Sequence, residues 1–249
     1  MAEKTIHLII TRQDGPDATP YKEEFKIPYR PNMNVIGCLM EIQRNPVNTQ
    51  GKKVAPIVWE MNCLEEVCGA CSMVINGKPR QSCTALIDNL EQPINLAPMS
   101  TFPVMRDLAV DRSRMFDALK RVKAWIPIDG TYELGPGPRM AERDRQWAYE
   151  LSRCMTCGCC LEACPNVNDK SPFIGAFAIS QVRLFNEHPT GQMNKEERLE
   201  GLMGEGGVTD CGNSQNCVQV CPKGIPLTTS IADMNRATTL YSIKNFFRS

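Results

Sequence analysis

Residues 63 to 83 read CLEEVCGACSMVINGKPRQSC and contain four cysteines. The spacing Cys63-x4-Cys68-x2-Cys71, followed by Cys83, is the plant-type spacing for a [2Fe-2S] cluster. Three thiolates on one tight loop reach around both irons, and a fourth from the following hairpin closes the far side. We therefore predict that these four residues hold a [2Fe-2S] cluster. A structural zinc site, which also accepts four thiolates, is the alternative.

A second group of cysteines lies in residues 154 to 165, which read CMTCGCCLEACP. This is the bacterial ferredoxin run, in which the fourth cysteine ligates the other cluster of a pair. Residues 211 to 222, CGNSQNCVQVCP, repeat the run with Ser214 in place of the middle cysteine. Crossing the fourth ligands assigns one [4Fe-4S] cluster to Cys154, Cys157, Cys160 and Cys221.

Three cysteines remain for the second cluster of this pair: Cys164, Cys211 and Cys217. A cubane that lacks its fourth thiolate tends to lose that corner, so we predict a [3Fe-4S] cluster. The alternative is that Ser214 supplies an oxygen ligand and keeps the fourth iron.

Composition narrows the class of protein. Of the 13 cysteines, Cys38 and Cys159 have no predicted iron. Cys38 is expected to pack as a small apolar side chain, and Cys159 either to pack or to lie just behind the ligands of the cluster. An odd number of cysteines in a chain of 249 residues argues against a disulfide-stapled secreted domain. The opening MAEKTIHLIITR lacks a signal-peptide core, and no stretch approaches the roughly 18 apolar residues of a membrane span. With 28 basic and 28 acidic residues, the chain lacks the basic footprint of a nucleic-acid binder.

The sequence also lacks a GxGxxG motif after a strand and a P-loop, so the chain itself is not expected to bind a dinucleotide or a nucleoside triphosphate. It has two histidines, neither of them within a motif, and no nucleophile constellation. Three clusters in series therefore indicate an electron conduit.

The first half of the chain predicts strands around one helix. Asn34 is a candidate N-cap for a helix that ends at Asn45-Pro46. Alternating or continuous apolar residues and an Asn76-Gly77 turn predict the strands. The predicted strands are Ile6–Ile10, Tyr21–Ile27, Ile57–Trp59, Ser72–Ile75 and Gln81–Ile87.

The second half predicts helices. These run from Met115 to Ile126, from Arg145 to Leu151 and from Pro226 to Ile243, with loops at residues 130–138 and 204–207. The last helix carries an apolar stripe that is expected to be core packing. The stripe consists of Leu227, Ile231, Met234, Ala237, Leu240 and Ile243. The fold class is therefore α+β.

Several segments resemble one family, the iron–sulfur subunits of succinate dehydrogenase and quinol:fumarate reductase. The resemblance rests on the CxxxxCGxC loop with its Asn76-Gly77 hairpin, the CxxCxCCxxxCP run, PVMRD at residues 103–107 and NCVQVCPKG at residues 216–224. It implies a β-grasp [2Fe-2S] domain over residues 1–108. It further implies an all-α helical ferredoxin domain over residues 109–249, carrying the [4Fe-4S] and [3Fe-4S] clusters.

The resemblance also implies partners. These are a flavoprotein subunit whose covalent FAD oxidises succinate and a membrane anchor that binds quinone, often with haem b. Electrons then enter at the [2Fe-2S] loop and leave from the [3Fe-4S] cluster. The chain is expected to be an oxidoreductase subunit without catalytic residues of its own, peripheral on the cytoplasmic side of a bacterial membrane.

Two departures indicate a subtype. Similar ubiquinone-reducing members carry tryptophans after the CP of the second group and a histidine after the first cysteine of the third. Here these places read PNVND at residues 165–169 and Gly212. The departure resembles the menaquinone-linked enzymes of Gram-positive bacteria, whose anchor is a single dihaem cytochrome b. The alternatives are a fumarate reductase of the same fold, the cluster subunit of a glycolate-oxidase or heterodisulfide-reductase type complex, and a zinc-binding structural protein.

Overall fold

The computed structural model of the chain describes residues 4–127 and 139–248. The predicted loop at residues 130–138 lies outside these residues. The chain divides into two units. The first unit comprises Met1–Arg112 and Met155–Glu162, and the second comprises Ser113–Cys154 and Ala163–Ser249. The predicted domain border after residue 108 stays a prediction.

A five-stranded sheet forms the centre of the first unit. The strands are β1 (Thr5–Arg12), β2 (Tyr21–Pro28), β3 (Ser72–Ile75), β4 (Lys78–Gln81) and β5 (Ile94–Ala97). Their order is β2-β1-β5-β3-β4, and β1 is antiparallel to β2 but parallel to β5. Ile6, Leu8 and Ile10 alternate along β1 and are fully buried, as the period of two predicts for one face of a sheet.

Helix α1 (Val35–Arg44) packs its apolar side into the same core. The Asn34 side-chain oxygen accepts a hydrogen bond from the Gly37 N–H at 2.8 Å, which confirms the predicted N-cap. Cys38 is fully buried within α1, as expected of a packing cysteine. Burial raises the pKa of its thiol to about 12.

The predicted hairpin at Asn76-Gly77 is present, but its second strand follows the turn directly at Lys78–Gln81, and the predicted strand at Gln81–Ile87 is wrong beyond Gln81. Asn76 and Gly77 have φ angles of 48° and 77°, as a type I′ turn requires. Strand β4 ends at Gln81 rather than at Ile87. After Gln81 the chain leaves the sheet, and the Asn34 side-chain amide donates a hydrogen bond to the Cys83 carbonyl at 2.8 Å.

The predicted strand at Ile57–Trp59 is wrong, because the backbone of Val58 forms hydrogen bonds with a turn instead of with a neighbouring strand. The Val58 N–H donates to the Asp107 carboxylate at 2.9 Å, and the Leu108 N–H donates to the Val58 carbonyl at 3.1 Å. Asp107 lies in the turn between two short strands, β6 (Val104–Arg106) and β7 (Ala109–Val110).

Asp107 forms a buried ion pair with Arg12 at the end of β1. The Arg12 Nε and Asp107 Oδ1 atoms are 3.0 Å apart, and both side chains are at most 1% exposed. Glu23 on β2 accepts from the same guanidinium at 2.7 Å. Burial alone lowers the pKa of Arg12, but hydrogen bonds to Asp107 and Glu23 outweigh it, so the pKa lies above its ordinary value.

A one-turn helix, α4 (Cys159–Glu162), completes the first unit. Each Glu162 oxygen accepts from the backbone N–H and the hydroxyl of one residue, Ser100 or Thr101, at 2.8–2.9 Å. These four bonds fix the end of α4 on the loop that follows β5.

Helices build the second unit. They are α2 (Ser113–Arg121), α3 (Glu142–Ser152), α5 (Ala176–Glu187), α6 (Lys195–Leu202), α7 (Asn216–Gln219) and α8 (Leu227–Phe246). Helix α5 packs against α2, α3, α6 and α8. Of the described helices, none combines the length and the apolar character of a membrane span.

The helix predicted to continue to Ile126 ends at Arg121. Lys123 has a φ of 48°, which breaks the helix, and the buried Arg198 guanidinium binds the Lys123 and Trp125 carbonyls at 3.1 and 2.7 Å. The helix predicted at Arg145–Leu151 is confirmed as part of α3.

The apolar stripe predicted as core on α8 is only partly buried. Leu240 and Ile243 are 56% and 51% exposed. The buried face is instead formed by Leu227, Ser230, Met234, Thr238 and Tyr241. The Tyr241 hydroxyl donates to Glu200 on α6 at 2.6 Å, which fixes this rotation of α8.

We expect Asp107→Asn to lower the free energy of unfolding of the chain by about 3 kcal/mol, because it leaves the buried Arg12 charge without its main partner. Asparagine tolerates the φ of 47° at this position, so backbone strain is not added. Denaturant unfolding measures the change. Glu24→Gln, which breaks a partly exposed pair with His7, is the control and should cost less than about 1 kcal/mol. Equal losses in the two variants would contradict the role of the buried pair.

Candidate functional site

The loop that begins at Cys63 wraps around its own first sulfur. The backbone N–H groups of Glu65, Val67 and Cys68 donate to Cys63 Sγ at 3.3–3.4 Å. The hydrogen bonds from the backbone N–H groups, of which those of Glu65 and Val67 have the largest effect, lower the pKa of Cys63 to about 7. The loop therefore favours the thiolate, which is the form that binds metals.

The other three predicted [2Fe-2S] ligands lie at the same place. The Cys63 sulfur interacts with Cys68, and Cys83 interacts with Cys71 and Cys63. Burial and a hydrogen bond with Cys71 raise the pKa of Cys83 to about 11. The structure thus brings together all four cysteines of the first group.

Two observations indicate that this site suits a bound iron–sulfur cluster. Leu64 and Glu66 have left-handed φ angles of 63° and 56° within the loop. Trp59 packs against the buried cluster formed by Ile36, Cys71 and Cys83, and its indole N–H is buried without a hydrogen-bond partner among the described residues. A buried donor beside two thiols suits a site completed by a group with acceptor atoms, as the sulfides of a cluster are.

Glycine is required at position 69 because the first cysteine loop lies close to the segment at residues 155–157 of the same unit. It has a φ of 74°, and a Cβ atom here would lie 2.8 Å from the Met155 carbonyl oxygen and 2.9 Å from the Cys157 Cα. Arg112 binds the Gly69 and Ala70 carbonyls at 3.2 and 2.8 Å and holds this loop.

The structure places Cys157 and Cys160 of the second group in the first unit, and Cys154 and Cys221 in the second. A hydrogen bond from Cys159 lowers the pKa of Cys157 to about 7. The same bond and burial raise the pKa of Cys159 far above its ordinary value, so Cys159 stays a thiol.

The three cysteines predicted for the [3Fe-4S] cluster interact with one another in the second unit. Cys217 interacts with Cys164 and Cys211, and burial raises the pKa of Cys217 and of Cys164. The Asn166 amide donates to the Asp210 carbonyl at 2.7 Å and so ties the segment after Cys164 to the residue before Cys211.

Ser214 is exposed in the loop between Cys211 and Cys217. Its neighbours Asn213 and Gln215 have left-handed φ angles of 53° and 63°. The serine therefore lies on a strained turn, whereas Cys217 is buried.

Neither histidine joins a cysteine group. His7 pairs with Glu24 at 2.9 Å, and His188 Nδ1 accepts from the Thr190 and Gly191 N–H groups. Over residues 4–127 and 139–248, no three or more His, Cys, Asp or Glu side chains are arranged to hold a single metal ion.

Sequence reasoning missed two residues at the sites, Gln81 and Arg112. Gln81 is fully buried and contacts cysteines of two groups. Its position in a predicted strand, two residues before a ligand, was a usable signal, because a buried amide needs polar partners. No sequence signal pointed to Arg112.

Comparisons with known proteins agree with these sites. Residues 7–117 match the family described as a 2Fe-2S iron-sulfur cluster binding domain, and residues 150–225 match a 4Fe-4S dicluster domain. The chain is 76% identical to the succinate dehydrogenase iron-sulfur subunit of Bacillus subtilis, over 99% of this chain and 98% of that protein. It is 30% identical to the fumarate reductase iron-sulfur subunit of Wolinella succinogenes, over 87% and 89%. A chain of the Mycobacterium smegmatis Sdh1 complex in the apo form has the same fold, with a TM-score of 0.76, 24% identity and coverage of 95% and 96%.

These matches confirm the α+β class, the [2Fe-2S] domain followed by a helical two-cluster region, and the role of an electron-transferring oxidoreductase subunit. Iron–sulfur subunits of succinate dehydrogenase also carry a [3Fe-4S] cluster and are peripheral components of a membrane complex, as the sequence predicted. The identity of 76% extends over nearly the whole length of both chains. The chain belongs to the family of iron–sulfur subunits of succinate dehydrogenase and fumarate reductase.

Proposed function

We propose that this chain conducts electrons from succinate to menaquinone through three clusters with defined ligands. The [2Fe-2S] cluster is held by Cys63, Cys68, Cys71 and Cys83. The [4Fe-4S] cluster is held by Cys154, Cys157, Cys160 and Cys221. The [3Fe-4S] cluster is held by Cys164, Cys211 and Cys217. When bound, the clusters supply one-electron oxidation and reduction, while the chain holds them and sets their surroundings.

One observation carries the assignment of the terminal cluster. Three thiols of the second unit interact with one another, and the residue in the place of a fourth, Ser214, is an exposed serine. This arrangement supports three thiolate ligands and therefore three irons. It also disfavours the cluster subunits of glycolate-oxidase and heterodisulfide-reductase type complexes, which tend to use full or differently arranged cysteine sets.

The partners proposed are a flavoprotein subunit with covalent FAD and a single dihaem cytochrome b anchor that binds the quinone. The chain lies on the cytoplasmic side of the bacterial membrane. The support for menaquinone is the sequence PNVND at residues 165–169 and Gly212, together with the similarity to the Bacillus subtilis subunit. Residues 1–108 are proposed as the [2Fe-2S] domain and residues 109–249 as the helical ferredoxin domain.

Fumarate reduction is the second candidate, supported by the 30% identity to the Wolinella succinogenes subunit. The much higher identity to a succinate dehydrogenase subunit favours succinate oxidation. The midpoint potentials of the three clusters, compared with that of the quinone pool, distinguish the two directions.

Ser214→Cys should supply the missing thiolate and convert the terminal cluster. We expect the oxidised protein to lose its [3Fe-4S] electron paramagnetic resonance signal and its iron content to rise from about nine to about ten per chain. Asn213→Cys places a thiol one residue away and should change neither quantity. If the signal persists in Ser214→Cys, the assignment of position 214 is wrong.

Cys217→Ala should abolish the [3Fe-4S] signal, because two thiolates cannot hold three irons in place. Cys38→Ala removes a buried thiol from the core of the first unit and should leave all three cluster signals intact. The spectra of the two variants in the oxidised and reduced states give the comparison. Equal loss in both variants would instead indicate a general failure to fold.

The membrane complex purified through this chain should contain covalent FAD and haem b in a ratio of one to two. Flavin fluorescence in a denaturing gel and the pyridine haemochrome spectrum measure the two groups. Metal analysis of the same sample should find about nine irons per chain and little zinc, since zinc replaces iron in the structural alternative. A complex without flavin contradicts the proposed partner.

A further inference from the structure

Gln81 is a fully buried polar side chain between two of the cysteine groups. It ends β4, pairs with Ser72 across the hairpin and is 0% exposed. A buried carboxamide is stabilising only when its oxygen and its nitrogen both have partners. Its partners here are three side chains of the first unit, and two of them are cysteines.

The carboxamide contacts one sulfur of each group. Gln81 Oε1 lies 3.4 Å from Cys71 Sγ, as an acceptor of a thiol proton. Gln81 Nε2 donates to Ser72 Oγ at 2.8 Å and lies 3.6 Å from Cys159 Sγ. The Ser72 hydroxyl in turn donates to the Gly69 carbonyl at 2.8 Å.

Iron binding at Cys71 removes the thiol proton that the amide oxygen accepts. A thiolate ligand has no proton to donate, so an oxygen facing it is repelled. Turning the carboxamide by half a turn exchanges oxygen and nitrogen at almost no steric cost. The N–H then donates to the Cys71 sulfur, and the oxygen accepts from the Ser72 hydroxyl.

The surrounding groups stay satisfied in the turned arrangement. The Gly69 carbonyl, which gives up the Ser72 hydroxyl, keeps the Arg112 guanidinium at 3.2 Å. Cys159 keeps its hydrogen bond with Cys157. In the turned arrangement the Cys71 thiolate gains a donor, and the Ser72 hydroxyl and the Gly69 carbonyl each keep a hydrogen-bond partner.

We propose that Gln81 is a positioning residue that donates a hydrogen bond from its carboxamide to the Cys71 ligand and thereby raises the reduction potential of the [2Fe-2S] cluster. A reduced cluster carries one more negative charge than an oxidised cluster, and a donor to its ligand stabilises the reduced state more. The inference rests on the proposed function, because it requires Cys71 to be an iron ligand.

The test is a redox titration of the [2Fe-2S] signal by electron paramagnetic resonance in the intact membrane complex. Gln81→Met has nearly the same volume and no donor. We expect the ratio of reduced to oxidised cluster, at a fixed ambient potential, to fall about tenfold, which corresponds to a potential lower by ~59 mV for one electron. Gln43→Met, an exposed position on α1, is the matched control and should not shift the potential.

A second variant tests the same role if Gln81→Met does not assemble. Ser72→Ala removes the hydroxyl that holds the amide oxygen and should lower the [2Fe-2S] potential by a smaller amount. The [3Fe-4S] potential is the internal reference and should stay unchanged in both variants.

The outcomes distinguish a failure of the proposed function from a failure of the role of Gln81. A wild-type complex without a [2Fe-2S] signal overturns the proposed function. A wild-type signal of ordinary intensity, with an unchanged or raised potential in Gln81→Met or Ser72→Ala, overturns the role of Gln81 alone.

Discussion

Several sulfur atoms that become negative when they bind iron have to lie close together, and their repulsion has to be offset by donors that the chain holds ready. In the first group these donors are backbone N–H groups, three of which point at Cys63. To turn successive N–H groups inward, residues without a glycine's freedom adopt left-handed backbone angles. Each such residue costs roughly 1–3 kcal/mol.

The distribution of this strain follows the cysteines. Nine non-glycine residues of the described chain have positive φ angles, and six of them lie within the three cysteine groups. One of the six, Asn76, belongs to the hairpin turn, and the others are Leu64, Glu66, Thr156, Asn213 and Gln215. The strain persists because each loop is anchored on a rigid element, by Arg112 and Glu162 in the first unit and by Asn166 in the second. The sheet and the helices are therefore supports that keep strained loops in place.

Sequence patterns predicted the features that depend on local chemistry. Cysteine spacing pointed to two sets of thiols that interact in the structure. These are the four of the first group, and Cys164, Cys211 and Cys217 in the second unit. The Asn34 cap and the Asn76-Gly77 turn were found because each requires a particular residue type. The failures were tertiary. Val58 donates to the Asp107 carboxylate and accepts from the Leu108 N–H, both distant in sequence, and α8 is rotated by its contact with α6. Gln81 was missed for the same reason, since one of its partners, Cys159, lies 78 residues away on α4.

The ion pair between Arg12 and Asp107 joins residues 95 positions apart. During synthesis at about 5–20 residues per second, Arg12 therefore waits roughly 5 to 20 s for its partner. Strand β1 also waits for β5, its parallel neighbour. All four cysteines of the first group leave the ribosome within this interval, before the sheet beneath them can close. The thiols of the nascent chain are thus available earlier than the framework that later encloses them.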